Sequence, residues 1–220
     1  MRNRFDRQME ELHTELIEMG ALCEHVIGES FQALMSGDME AASKIIGQDA
    51  AIDLKEREIE TLCLKLLLQQ QPVASDLRKV SAALKMITDM ERIGDQASDI
   101  AEIVRTAGDL RAPAQTVQIG EMAQAASKMV TASIDAYVKQ DLAIAQQVIA
   151  DDDNVDRLFD LIRNELAHGI GKGVASVEQT MDILMIAKYF ERIGDHATNI
   201  AEWVEFSITG VHKDSAVIHE

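Results

Sequence analysis

The 220-residue sequence is short of proline (two), cysteine (two), aromatic residues (4%) and positive charge (21 Lys and Arg against 38 Asp and Glu). Each scarcity excludes something. Scarce proline removes the usual interrupter of long helices, and few aromatic residues leave little of the stock that favours strands. Ala, Leu, Ile, Met, Glu and Lys dominate, which predicts an all-α chain. Cys23 and Cys63 stand alone in apolar helical patterns. No CxxC pair offers zinc binding or redox chemistry, and both thiols are expected reduced in the core of a cytosolic protein. A net charge of −17 sets the chain against nucleic acid and anionic lipid, whose binding needs clustered Lys and Arg. Cations or basic partner surfaces suit it instead. No apolar run nears the ~20 residues of a membrane span, and Met1-Arg2-Asn3-Arg4-Phe5-Asp6 leads into charged helix without the apolar stretch of a signal peptide.

What is present is a repeat. The segment from Met90 to Val104 returns from Phe190 to Val204, an offset of 100 residues, and Glu91-Arg92-Ile93-Gly94-Asp95 is kept whole as Glu191-Arg192-Ile193-Gly194-Asp195. Asp38–Ala42 aligns with Asp141–Ala145 and Asp49–Asp53 with Asp152–Asp156, both at an offset of 103. The reading is a tandem pair of three-helix units, residues 1–109 and 110–210, followed by a tail, 211–220. Six long helices are predicted, at about 5–35, 38–70, 75–108, 115–139, 141–169 and 176–210. Asp38, Asp141 and either Ser75 or Asp76 are expected as N-caps. Gln71-Pro72 breaks the second helix, and Gly108–Thr116, with Pro113, reads as the linker between halves. Short connections make neighbouring helices antiparallel. A helix of ~30 residues is ~45 Å long, so an elongated molecule is expected.

The repeat is acidic. The first half carries Asp49 and Asp53 on its second helix and Glu91, Asp95 and Asp99 on its third. The second half carries Asp152 and Asp156, then Glu191 and Asp195, with Asn199 in place of a third acid. Acids four apart share a helix face and repel by a few tenths of a kcal/mol per pair. At ~100° per residue, Asp49 and Asp53 fall in line with Ala42, Ile45 and Ile46. Asp152 and Asp156 fall in line with Ala145, Val148 and Ile149. Glu91, Asp95 and Asp99 continue the stripe of Leu77, Val80, Leu84 and Ile87. These faces elsewhere point at neighbouring helices, so each half is expected to converge its carboxylates. Such a cluster requires protonation, Arg partners or a cation. All-oxygen ligands suit Mg²⁺, Mn²⁺, Ca²⁺ or iron. The competing reading is a solvated acidic face neutralised by Arg92 and Arg192. Gly94 and Gly194, each costing ~1 kcal/mol mid-helix against Ala, point to close helix approach or to room beside the acids.

Two motifs look like chemistry and are set aside. Glu10/His13 and Glu165/His168 both read ExxH, as in di-iron bundles, but they sit on non-equivalent helices. His13, His25 and His196 are expected as exposed or partly buried helix residues. Gly169-Ile170-Gly171-Lys172-Gly173 lacks the strand and spacing of a phosphate-binding loop and reads as a helix end and turn. No Ser-His-Asp or Cys-His arrangement can be placed. The methionines, including Met86, Met90 and Met185, are expected in the core.

The doubled Glu-Arg-Ile-Gly-Asp segment in a six-helix frame, with DxxxD pairs on the second and fifth helices, resembles the PhoU family from Phe5 to about Gly210. The resemblance implies two three-helix bundles related by a pseudo-twofold axis and no enzymatic activity. It implies a cytoplasmic negative regulator of phosphate uptake and of the phosphate-starvation response. Its partners would be the ATP-binding subunit of the phosphate ABC transporter and the sensor histidine kinase of the regulon. Metal ions, iron clusters in some members, would sit at Asp49/Asp53, Glu91/Asp95, Asp152/Asp156 and Glu191/Asp195. Homodimers are common among members. The alternative function is a carboxylate-rich metal-binding protein or di-metal enzyme built in a helical bundle.

Overall fold

The computed structural model describes residues 2–70, 72–115, 117–170 and 175–211. Gln71 of the predicted break, Gly171-Lys172-Gly173 of the predicted turn and the tail beyond Val211 lie outside the described residues. Among those described there are seven helices and no strand: α1 (Arg2–Ser36), α2 (Met39–Gln70), α3 (Ala74–Thr106), α4 (Arg111–Gln115), α5 (Ile119–Lys139), α6 (Leu142–Ile170) and α7 (Val177–Thr209). The six long helices match the predicted ones.

The short α4 corrects the linker reading. Asp109 accepts from the Arg111 backbone N–H at 3.0 Å and holds its guanidinium at 2.6 Å, which starts a helical turn. Pro113 falls inside that turn, where its missing N–H costs nothing, and it is buried with Ala114. The helix that follows therefore begins at Ile119, later than expected.

The caps show how locally the chain is punctuated. Asp38 accepts from the backbone N–H groups of Glu40 and Ala41 at 2.9 and 3.0 Å, and Asp141 from those of Ala143 and Ile144 at 2.9 and 3.2 Å. Ser176 and Gln179 form a reciprocal capping box at the start of α7. The expectation of Ser75 or Asp76 as a cap fails. The N-cap of α3 is Val73, with no side-chain hydrogen bond, because the helix starts one residue before Ser75.

Helices α1, α2 and α3 pack on one another, as do α5, α6 and α7; the two bundles join through α3 against α7 and α1 against α5. Equivalent helices thus meet equivalent helices, as a pseudo-twofold arrangement requires. Helices α3 and α7 run antiparallel, since Lys85 lies over Trp203 and Asp89 meets Asn199. The core is continuous apolar side chains: Leu12, Leu16, Ile59 and Met86 on the first-half side, Met122, Ile162, Ile186 and Phe190 on the second, all fully buried. Each such side chain contributes about 1.5–3 kcal/mol when buried. Where α1 crosses α5, a Cβ on Gly120 would stand 3.0 Å from Phe31 Cζ, and one on Gly20 would overlap Ile134 Cδ1. No helix among the described residues is long and apolar enough to cross a membrane.

Cys23 and Cys63 are buried free thiols, as expected. Two apolar positions are not where periodicity put them: Leu77 is 46% and Met185 41% exposed. Leu77 lies in the first turn of α3, and Met185 on the side of α7 away from its fully buried Ile183.

Candidate functional site

In each half the repeated glycine sets the contact between helices. A Cβ on Gly94 would meet Ile52 Cδ1 at 2.8 Å and Asp49 Oδ1 at 3.4 Å; on Gly194 it would meet Val155 Cγ1 at 3.3 Å and Asp152 Oδ1 at 3.6 Å. The missing side chain lets α2 lie close on α3, and α6 on α7, and brings one acid of the DxxxD pair beside the glycine. Packing and proximity to the acids are thus one feature.

The first-half acids share one electrostatic field. Burial lifts Asp49 above the usual carboxylate range, and Asp95, Asp53 and Asp99 add to it. Glu91 is lifted by burial, then by Asp95, with Arg92 opposing and Glu56 and Asp53 adding. Asp99 is lifted by burial and Asp95, while the Tyr189 hydroxyl from the other half favours its ionised form. Arg92 bridges Glu91 at 3.3 Å and Asp95 at 2.8 Å, and Arg57 stands 3.5 Å from Asp53. Asp49 Oδ1 is buried without a hydrogen-bond partner, whereas the buried Glu91 Oε2 has the Arg92 guanidinium as its ion-pair partner. An unpartnered carboxylate oxygen is costly, and the one on Asp49, among mutually repelling acids, fits a bound cation or proton. As the side chains stand, no three Asp, Glu, His or Cys groups among the described residues are gathered tightly enough to hold a metal ion.

Glu56 was missed by the sequence reading and belongs with this cluster. It is lifted by burial, Glu60 and Asp53, and accepts from the Thr88 hydroxyl at 3.5 Å. The signal was present: Asp49, Asp53, Glu56 and Glu60 follow helical spacing, but only the repeated DxxxD part stood out.

The second half is built on the same frame with different chemistry. Asp152 is lifted by burial, Asp195 and Asp156. Asp195 is lifted by desolvation, and Lys188 then opposes, Asp156 adds, and His196 and Arg192 oppose. Glu191 is ion-paired with Lys188. Phe159 occupies the position of Glu56, and Lys188, which replaces Thr88, lies 5.5 Å from its ring centre. Asn199 is turned across the α3–α7 seam, donating to Asp89 at 3.1 Å, and Asp89 also meets His196 Nδ1 at 2.9 Å. The structure therefore brings Asp49, Asp53, Glu91, Asp95 and Asp99 into one field. It groups Asp152, Asp156 and Asp195 in a second field, with Glu191 held by Lys188 and Asn199 held by the other half. His13 is half-buried, its ring edge-on to Tyr137, and His25 is exposed beside Glu29.

A duplicated three-helix bundle with carboxylate-rich helix pairs is the class that fold and site define. Residues 16–104 and 119–204 each match the PhoU domain. The chain belongs to the PhoU family. It is 38% identical over 211 residues to the phosphate-specific transport system accessory protein PhoU homolog of Clostridium acetobutylicum, covering 96% of both chains. It is 31% identical over 207 residues to the homolog of Pseudomonas aeruginosa, covering 94% of this chain and 86% of that one. The crystal structure of PhoU from Pseudomonas aeruginosa superposes with a TM-score of 0.85 at 30% identity, over 94% of this chain and 100% of that one. The phosphate transport system regulatory protein PhoU from Streptococcus pneumoniae gives a TM-score of 0.85 at 27% identity, over 94% and 98%.

Proposed function

We infer that this protein is a regulatory accessory of phosphate uptake. The observation that carries the reading is its full-length likeness to proteins named as phosphate-specific transport system accessory proteins. It acts in the cytoplasm as a non-enzymatic negative regulator of the phosphate-starvation response. It bridges the ATP-binding subunit of the phosphate ABC transporter and the sensor histidine kinase, and holds the kinase off when phosphate is plentiful. Any such hold requires different affinities for two states of the kinase. The working unit is the pair of repeats, 1–109 and 110–210, with 211–220 as a tail, assembled as a homodimer.

The carboxylate clusters take a hard cation: Mg²⁺, Mn²⁺, Ca²⁺ or iron. Asp49, Asp53, Glu91, Asp95 and Asp99 would hold it in the first half, and Asp152, Asp156, Glu191, Asp195 and Asn199 in the second. The unpartnered oxygen of Asp49 supports the first half as the stronger site. The cation supplies charge neutralisation, and the chain's part is to hold the acids close through Gly94 and Gly194.

Deleting the gene and measuring a phosphate-starvation reporter at high phosphate tests the regulatory reading. A strain that still represses the reporter refutes it. Metal analysis of protein purified without added ions, compared with an Asp95→Ala, Asp195→Ala variant, tests the clusters. Negligible metal, or metal unchanged in the variant, refutes the ligand assignment.

A further inference from the structure

Helix α7 opens with an apolar stripe that the fold leaves uncovered. Val177, Met181 and Met185 are 62%, 54% and 41% exposed. They recur every four residues, so they lie along one side of the helix over ~12 Å. Single exposed apolar residues are ordinary; a contiguous row of them is less so.

The duplication supplies an internal control. The first half places Leu77, Ser81 and Lys85 at the equivalent positions, an offset of 100. The same helix in the same bundle is therefore built with serine and lysine where the second half has two methionines. Bundle packing does not call for Met181 and Met185.

The charge on the flank of the stripe toward α3 has one sign, and Lys188, one turn beyond Met185, is held by Glu191. A shallow depression of about 620 Å³ runs between the end of α3 and the start of α7, lined by residues that include Thr106, Gly108, Gln179, Glu178 and Asp182. Glu178 and Asp182 are the charged groups in that lining, and they alternate along the helix with Val177 and Met181. The whole chain carries −17. A second copy would bring the same acids against this edge, whereas a cationic partner is attracted to it.

We propose that the α7 stripe is the docking surface for a basic amphipathic helix of a partner protein. Its apolar side covers Val177, Met181 and Met185, and its Lys or Arg residues reach Glu178 and Asp182. Methionine suits such a surface, because its flexible, polarisable side chain adapts to the occupant. A row at i, i+4 and i+8 along one helix matches the apolar side of a second amphipathic helix laid beside it. The inference rests on the adaptor reading above and adds where the partner sits.

The test uses the full chain and two purified probes: the transporter's ATP-binding subunit and the kinase's cytoplasmic region from the same organism. Met181→Ser with Met185→Lys imports first-half residues, so the fold is kept; circular dichroism and melting verify that. The expected result is binding of at least one probe by the wild type and at least tenfold weaker binding by the double variant. Glu178→Gln with Asp182→Asn is expected to weaken binding at low salt and to flatten its salt dependence. Unchanged affinity in the Met variant overturns the surface and leaves the adaptor reading standing. No binding of either probe by the wild type overturns the adaptor reading and the occupant with it. A wild-type dimer that the Met variant splits in sedimentation, with probe binding intact, assigns the stripe to self-association and overturns the basic-partner proposal.

Discussion

Replacing Gly94 with alanine sets two known magnitudes against each other. In an exposed helix interior the change is favourable by about 1 kcal/mol, because alanine restricts the unfolded chain. Here the new methyl would stand 2.8 Å from Ile52 Cδ1 and 3.4 Å from Asp49 Oδ1. Ile52 is 1% exposed, so its methyl cannot swing out without displacing core neighbours. Overpacking of this kind costs about 1–3 kcal/mol. The net expectation for Gly94→Ala is a loss of about 0–2 kcal/mol. Ile52→Val alone removes the obstructing methyl and costs about 0.5–1.5 kcal/mol. Combined, the alanine methyl occupies the space that the isoleucine methyl leaves, and the double variant should match or exceed the wild type. The pair is then coupled by at least about 1 kcal/mol. Gly194→Ala is the internal comparison: its nearest contact is Val155 Cγ1 at 3.3 Å, and it should be close to neutral. Urea unfolding with a common m-value measures the wild type and all four variants. The reasoning is refuted if Gly94→Ala stabilises by about 1 kcal/mol, as a free helical glycine would, or if the two changes add without coupling.

Three further outcomes are expected. Asp49, Glu91, Asp99, Asp152 and Asp195 are all held above the usual carboxylate range, by burial first. Their contribution to stability is full below the ordinary value of about 4 and is lost as pH rises through the raised values. Metal-free protein should therefore melt higher at pH 5 than at pH 7.5, with a shallower slope in Asp49→Asn, Asp152→Asn; a melting temperature that falls on acidification to pH 5 contradicts this. Asp109, held at about 2 by Arg111, acts with the opposite sign and only at lower pH. Burial pushes the Cys23 and Cys63 thiols up to about 12, so a disulfide reagent should label neither in the native protein and both in denaturant; labelling of folded protein within minutes counts against the core assignment. Ser176→Ala should cost about 1 kcal/mol by breaking the capping box, while Val73→Ser should gain about 0.5–1 kcal/mol at the uncapped start of α3; equal melting temperatures for the two variants would show that these ends do not limit stability.

The long helices were legible because their signals are local. Apolar periodicity, Asp38 and Asp141 at N-cap positions and the glycine after α1 all act within a turn or two of chain. The short α4 was hidden because Pro113 was taken as a breaker, although its position after Asp109 places it in a first turn. Leu77 was placed in the core by period and Met185 by its residue type, and neither signal says which side of the helix the neighbouring helices cover. The DxxxD and ExxxD acids came through because duplication marked them. Glu56 did not, because its equivalent is Phe159 and no repeat pointed to it. The seam partners were beyond reach for a different reason: Asp89 and Asn199 are 110 residues apart in sequence, and pairing at that range is fixed only by how α3 crosses α7.

That seam accounts for the asymmetry between the halves. Position 89 of the first half faces position 199 of the second, and by the same pseudo-twofold relation position 189 faces position 99. Two identical halves carrying Asp at both positions would set carboxylate against carboxylate twice. Unit charges ~4 Å apart repel by about 1 kcal/mol in water and about 4 kcal/mol at an effective dielectric of about 20. The chain avoids both clashes with one arrangement. The first half keeps Asp89 and Asp99; the second supplies donors, Asn199 to Asp89 at 3.1 Å and the Tyr189 hydroxyl beside Asp99, whose ionised form it favours. An acid at 199 is thus opposed by Asp89 before any ligand is considered. The acid lost from the second cluster follows from joining the halves back to back. In a duplicated fold whose equivalent helices pack on each other, the seam sets which copy can remain most acidic.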